Sequence, residues 1–247
     1  MSLRSQLGAA RRGVLSSLHR RIAPSSKLRG PIVSFTFDDF PRSAYLTGGR
    51  ILEEFGVRGT YYTAPALMNT SNELGDHFCA DDLSSLLAKG HELGNHTFSH
   101  VSCRSLSRDA FQADIDKGRE TLRQLTGQAP VNFSYPFGDI TLGTKADISP
   151  KLASARGIFP GINDPADLNL LRANRVYGDA DQLESAQAMI EENSRRNGWL
   201  IFYTHDVRPD PSPYGCTPAL FEALVAKTAA EKNKILTVAS ALAQFGN

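Results

Sequence analysis

Ile32-Val33-Ser34-Phe35-Thr36-Phe37-Asp38-Asp39 is a run of apolar, β-branched and aromatic residues that ends in two adjacent carboxylates. Its composition reads as a buried strand. Unpaired charge beside a core is costly, so the end of this strand needs a partner for its carboxylates, and a metal ion or a catalytic proton supplies one. Outward from this strand, helix-like and strand-like stretches alternate. Helices are expected at 43–55, 81–89, 107–125, 145–156, 181–196 and 218–232. Strands are expected at 59–63, 132–135, 157–160, 170–176, 199–204 and 235–238. Such alternation predicts parallel pairing with helix-covered faces, an α/β fold, and the 247 residues suit one α/β barrel. Chemistry in such folds sits at the carboxyl ends of strands, where Asp38, Asp39 and His205 all fall.

Apolar residues make up 41% and charged residues 21%, as in a globular enzyme, and a net charge of +1 gives no bias toward nucleic acid, so no nucleic-acid partner is expected. Cys79, Cys103 and Cys216 are odd in number and lack CxxC spacing, which argues against a disulfide framework and a structural zinc site. There is no apolar run long enough to span a bilayer and no uncharged apolar leader; a reducing, cytoplasmic location is expected. Residues 1–29 stand apart from a catalytic domain at 30–247. They carry Arg4, Arg11, Arg12, Arg20, Arg21, Lys27 and Arg29 and no acidic residue. Leu3, Leu7, Val14, Leu15, Leu18 and Ile22 recur at helical spacing, interrupted by Arg4 and Arg11, until Pro24 ends the pattern. Three readings stay open for this basic helical extension: packing on the domain or on a second subunit of a homo-oligomer, peripheral contact of residues 1–22 with the inner face of a membrane, or a disordered arm.

Gly94-Asn95-His96-Thr97-Phe98-Ser99-His100 places two imidazoles four residues apart, on one side if the segment is helical. With Asp39 they make a His-His-Asp set that leaves coordination positions open, as a catalytic metal requires. Asp38 is then the spare carboxylate, either a base toward metal-bound water or a group that orients a ligand. His205, closing Trp199-Leu200-Ile201-Phe202-Tyr203-Thr204, suits a general acid. Ser134-Tyr135-Pro136-Phe137-Gly138 reads as a turn, whose Phe137 N–H is a candidate oxyanion donor.

At these residues the chain resembles the NodB-homology polysaccharide deacetylases, carbohydrate esterase family 4, from about Pro31 to His205. The resemblance is carried by Thr36-Phe37-Asp38-Asp39 and by Gly90-His91-Glu92-Leu93-Gly94-Asn95-His96-Thr97-Phe98-Ser99-His100. It implies a distorted, incomplete (β/α)7–8 barrel. It also implies that Asp38 is the catalytic base, that Asp39, His96 and His100 hold the metal, and that His205 protonates the leaving amine. Phe137 would give the oxyanion N–H, Pro136 would shape that turn, and the Thr97 hydroxyl would fix a neighbouring loop. The family's third motif starts with an arginine that pairs with the catalytic aspartate; here that slot is Ser134, and Arg172 or Arg175 is expected to supply the cation. The family's Asp-Trp motif has no counterpart, the only tryptophan being Trp199. Tyr203 takes a slot, near the acetyl methyl group, that is usually leucine.

The expected activity is metal-dependent removal of an N-acyl group, acetyl first, from an amino sugar of a poly-, oligo- or lipid-linked saccharide. Zinc suits the donor set, and cobalt, nickel or manganese are admissible. Two alternatives stay open: hydrolysis of a non-carbohydrate amide on the same scaffold, and a catalytically silent carbohydrate-binding protein.

Overall fold

Strand β2 is the axis of the molecule. In the computed structural model, which describes residues 13–24, 28–148 and 151–245, β2 spans Ile32–Asp38 and all seven of its residues are buried. Expectations that fall on residues 1–12 and 25–27 lie outside the described residues. The other strands are β1 (Ile22–Ala23), β3 (Thr60–Thr63), β4 (Ser71–Asn72), β5 (Gly75–Asp76), β6 (Glu92–Asn95), β7 (Asn132–Ser134), β8 (Ser154–Arg156), β9 (Ala166–Asp167), β10 (Asn174–Arg175), β11 (Trp199–Thr204) and β12 (Lys234–Ile235). Strands β10-β11-β2-β3-β6-β7-β8 lie in that order with every pair parallel, and β12 adds to β2. The segment after β9 closes the curl. It bridges β8 through Leu171 and Arg156, then pairs with β11 as β10. The result is the expected α/β half-barrel.

Alternation along β2 separates two environments. Val33, Phe35 and Phe37 point out into an apolar layer with Leu52, Tyr61, Leu200, Phe202 and Phe221. Ile32, Ser34, Thr36 and Asp38 point into the barrel, where Ile32 packs with Trp199, Ile201 and Tyr203, and Trp199 donates to the Ser34 hydroxyl at 3.0 Å. Asp38 is thus the top of an inward row.

The helices are α1 (Arg50–Glu54, entered through a π-turn Ala44–Gly49), α2 (Ala80–Ala88), α3 (Arg108–Thr126), α4 (Leu142–Ile148), α5 (Leu183–Arg196), α6 (Pro218–Ala230) and α7 (Val238–Ala243). Their caps follow from sequence. The Ser107 hydroxyl accepts from the Ala110 N–H ahead of α3, Gly127 closes that helix in the left-handed conformation, and Thr217 followed by Pro218 starts α6.

Three expectations are corrected. Residues 157–160 form no strand; the strand of this region lies earlier, at Ser154–Arg156. The stretch 145–156 is not one helix: α4 ends at Ile148, and residues 154–156 are strand β8, pairing with β7. Residues 92–95, where no strand was expected, form β6 between β3 and β7. The composition Glu-Leu-Gly-Asn has little strand propensity, so its pairing is imposed by neighbours on both sides.

The described part of the N-terminal segment is a helical stretch at 13–17 followed by β1, which pairs antiparallel with β9. Leu15 is buried with Tyr135, Ile140 and Leu170. The fully buried Lys145 binds both the Leu15 carbonyl and Asp167, each at 2.7 Å. Val14, Leu18 and Ile22 remain exposed.

Candidate active site

Three strand ends and one turn frame a cavity of about 440 Å³ at the carboxyl edge of the sheet, lined among others by Asp38, Asp39, His96, His100, Phe137, Tyr203 and His205. The backbone around it is unusual. Among the described residues nine non-glycine residues have positive φ, and five of them, Asp39, Phe40, Thr97, His100 and Phe137, belong to the segments that carry the cavity. Each such residue costs about 1–3 kcal/mol and persists only where its surroundings over-determine it.

Those surroundings can be named. The Asp39-Phe40 turn is held by the strand-like pairing of Pro41 with His77 and by the Phe78 N–H donating to the Phe40 carbonyl at 3.2 Å. The 97–100 turn is held by α3. Asp114 accepts from the N–H groups of Phe98 and Ser99 and from the Ser99 hydroxyl, at 2.9–3.1 Å. Gly118 lets that helix approach, since a Cβ there would stand 2.6 Å from the Thr97 carbonyl carbon. His96 and His100 are therefore not brought together by a helix, as their spacing suggested. Left-handed residues at Thr97 and His100 fold an irregular turn that aims both rings at Asp39.

Asp39, His96 and His100 each offer a ligand atom within 4.8 Å of the others. Asp39 Oδ1 stands 2.9 Å from His100 Nε2 and 3.3 Å from His96 Nε2. This buried oxygen nevertheless has no partner in hydrogen-bond geometry. Donor atoms that converge without bonding one another fit a shared cation. His96 Nδ1 donates to the Ser134 carbonyl at 2.7 Å, which fixes the ring and leaves Nε2 as the ligand atom. Burial alone would raise the Asp39 pKa, but His100 and His96 outweigh it and hold the carboxyl well below the ordinary range. Burial pulls His100 down, and Asp39 more than offsets that, so its imidazole holds its proton above the ordinary value.

Asp38, the residue before, points inward to Arg156 Nη2, which donates to Asp38 Oδ1. Arg156 is fully buried. Its guanidinium lies between two tyrosine rings, 4.8 Å from the Tyr62 centroid and 5.1 Å from that of Tyr203, and it donates to the Gly157 carbonyl at 3.0 Å. Burial lowers the Arg156 pKa, yet Asp38 together with the Tyr62 and Tyr203 hydroxyls raises it by more, so the cation is kept.

The cation at Asp38 is thus neither Arg172 nor Arg175. Arg172 donates to the Pro160 carbonyl at 3.0 Å, and Arg175 is exposed on β10, 6.0 Å from the Tyr177 ring. Arg156 was missed because its segment read as helix. Its one visible signal is register: Arg156 on β8 is the cross-strand partner of Ser134 on β7, so the expected arginine has moved one strand over at the same level. The Ser134 hydroxyl is left buried without a protein partner.

On the opposite side, His205 Nδ1 donates to the Tyr214 carbonyl at 3.1 Å, and its Nε2 lies 3.8 Å from Asp39 Oδ2. Tyr203, buried above Ile201 and Trp199, meets Tyr177 edge-on at 5.7 Å between centroids. Phe137 is 62% exposed and its ring lies 4.6 Å from that of His100, at the rim, with Pro136 buried beneath the turn. Thr97 is buried, its hydroxyl without a protein partner.

The sequence profile described as "Polysaccharide deacetylase" matches residues 25–150, half of the chain. The chain belongs to that family. Among relatives, a peptidoglycan-N-acetylglucosamine deacetylase of Bacillus cereus is 29% identical over 111 residues, 44% of this chain and 37% of the relative. A chitooligosaccharide deacetylase of Sinorhizobium fredii is 26% identical over 132 residues, 51% and 58% of the two chains. The chain therefore spans about a third to a little over half of the length of these two relatives. Among solved structures, a family 4 acetyl xylan esterase from Clostridium thermocellum, in complex with a cobalt ion, superposes with a TM-score of 0.57 at 20% identity over 85% of this chain and 89% of that one. That likeness shows the polysaccharide deacetylase barrel, curled and incomplete.

Proposed function

We propose that this protein is a metal-dependent deacetylase that hydrolyses the N-acetyl group of an amino sugar in a poly-, oligo- or lipid-linked saccharide. The observation that carries the reading is the convergence of Asp39, His96 and His100 beside the Asp38–Arg156 pair. A divalent cation held by those three residues would polarise the acyl carbonyl and make water nucleophilic near neutral pH. Zinc suits two imidazoles and a carboxylate, and the cobalt in the esterase with the same fold supports a divalent ion of this type. Asp38, oriented by Arg156, takes the proton of the attacking water. The Phe137 N–H, at the cavity rim, stabilises the developing oxyanion together with the charge of the site. His205, with Nδ1–H committed to the Tyr214 carbonyl, delivers a proton from Nε2 to the departing amine. The amino-sugar substrate rests on the names of the two relatives, both of which act on N-acetylated glycans.

The test is acetate release from N-acetylglucosamine oligomers, with and without chelator, for the parent protein and Asp38→Asn. The expected result is chelator-sensitive release that Asp38→Asn reduces about 10²–10⁴-fold. Chelator-insensitive release would remove the metal from the account. Absence of release from any acetylated glycan would favour the silent-binder reading, against which Asp38 and His205 stand, since binding needs neither.

The exposed Val14, Leu18 and Ile22, with Arg20 beside them, support peripheral contact with an anionic membrane surface. Residues 1–29 carry seven cations and no acid in a chain of net charge +1, so the remainder carries −6 (1 − 7). Three free thiols agree with a reducing compartment, the cytoplasm. Co-sedimentation with phosphatidylserine vesicles tests the contact. Loss of binding in the Val14→Ser, Leu18→Ser, Ile22→Ser triple variant supports it, and no binding by the parent ends it.

A further inference from the structure

The β4–β5 hairpin is a wall of the cavity that the family motifs do not build. Asn72, Glu73 and Leu74 at its tip line the cavity together with Phe137 and Ile158. The hairpin itself is two short antiparallel strands, and its base is tied down by the His77 N–H to the Thr70 carbonyl and the Asn69 N–H to the Phe78 carbonyl, each at 2.9 Å. Two-stranded hairpins are marginal in isolation, so the tip needs an outside hold.

Arg208 supplies it. Its Nη2 donates to the Glu73 carbonyl at 2.9 Å, and its Nη1 lies 3.0 Å from where a Cβ on Gly75 would stand, so the guanidinium sits directly on the turn. Its other edge meets Asp206 Oδ2 at 2.9 Å in an ion pair. Asp206 is fully buried and organises the loop that follows β11: it accepts from the Ser212 N–H at 2.9 Å and from the Ser212 hydroxyl, and its carbonyl accepts from Cys216 N–H at 2.9 Å. The same loop presents the Tyr214 carbonyl that fixes the His205 ring.

We propose that Arg208 is a positioning residue that clamps the β4–β5 hairpin to the His205 loop, so that the wall selecting the saccharide and the group serving the leaving amine move as one unit. The kinetic part of this claim rests on the deacetylase reading; the structural part does not. Arginine is suited because its planar fork reaches a carboxylate and a carbonyl at once, whereas lysine offers one compact charge. Arg208→Lys keeps a cation opposite Asp206 and gives up the hairpin contact. Arg208→Ala gives up both.

Hydrogen–deuterium exchange on the intact protein separates the roles. Exchange at residues 71–78 is expected to quicken at least tenfold in both variants, and at residues 205–216 only in Arg208→Ala. On N-acetylglucosamine oligomers, Arg208→Lys is expected to raise KM several-fold with kcat within twofold of the parent, while Arg208→Ala changes both. Hairpin exchange unchanged in both variants would overturn the clamp. A KM unchanged in Arg208→Lys despite a loosened hairpin would overturn its role in selection. If the parent hydrolyses no acetylated glycan, the deacetylase reading fails, and exchange alone still decides whether the clamp exists.

Discussion

On the side of Asp39, His96 and His100, the cavity is framed by backbone held in left-handed conformations, pressed into place by α3 and by the 69–78 segment. On the side of His205, it is framed by the 206–216 loop folded around one buried carboxylate, Asp206, whose polar contacts are met within the protein. The first side leaves the Asp39 oxygen and the Thr97 hydroxyl without hydrogen bonds; the second orients an imidazole through a backbone carbonyl. The difference teaches how one cavity divides its work. Left-handed backbone and the unbonded Asp39 oxygen collect where a ligand ion would complete the structure, and an imidazole fixed through its Nδ1–H stands where a side chain must carry a proton in a set direction. Arg156 sits behind the first side and keeps Asp38 paired.

The sharpest way to break this division is to remove Arg156. Arg156→Ser leaves Asp38 buried without its cation, a loss of about 3–5 kcal/mol, read as a fall in Tm on the order of 10 °C. Because Ser134 and Arg156 are paired in register, the exchange Ser134→Arg with Arg156→Ser is expected to recover most of that loss. A double variant no more stable than the single one would show that the position on β8 itself, rather than the charge at that level of the barrel, is what Asp38 requires.

A smaller effect is expected on the opposite side. His205→Gln keeps a side-chain amide near the Tyr214 carbonyl but cannot donate a proton as an acid, so kcat for acetate release should fall about 10²-fold while metal content stays at the parent level. Metal loss in this variant would mean that the two sides are not separable.

The mildest effect is on pH. Asp39 holds the proton on His100 above its ordinary pKa of 6.5 in the metal-free protein. A cation must displace that proton, so metal affinity should fall as pH drops through the raised value and level off above it, with proton release on binding measurable by calorimetry in buffers of different ionisation enthalpy. Affinity independent of pH between 5 and 8 would take His100 out of the ligand set.

Legibility in the sequence followed strand length rather than the side of the cavity. Asp38, Asp39 and His205 stand at the ends of long strands buried on both faces, β2 and β11, whose apolar runs leave little doubt about where they stop. Arg156 and the His96–His100 turn were harder for a physical reason. Strand β8 is three residues long and β6 is Glu-Leu-Gly-Asn, so both owe their conformation to neighbours distant in the chain. The spacing of His96 and His100 matches a helix, and only α3, approaching over Gly118, makes the left-handed turn the outcome. The Arg208 clamp was equally hidden, because its contacts span 135 residues to Glu73.

The most direct measurement is cobalt(II) titration of the metal-free protein, followed by its visible absorption, for the parent, Asp38→Asn and Asp39→Ala. Asp39, His96 and His100 as the ligand set require one equivalent and a d–d spectrum in the parent, the same stoichiometry in Asp38→Asn, and loss of the spectrum in Asp39→Ala. A parent-like spectrum in Asp39→Ala would contradict the account at its centre.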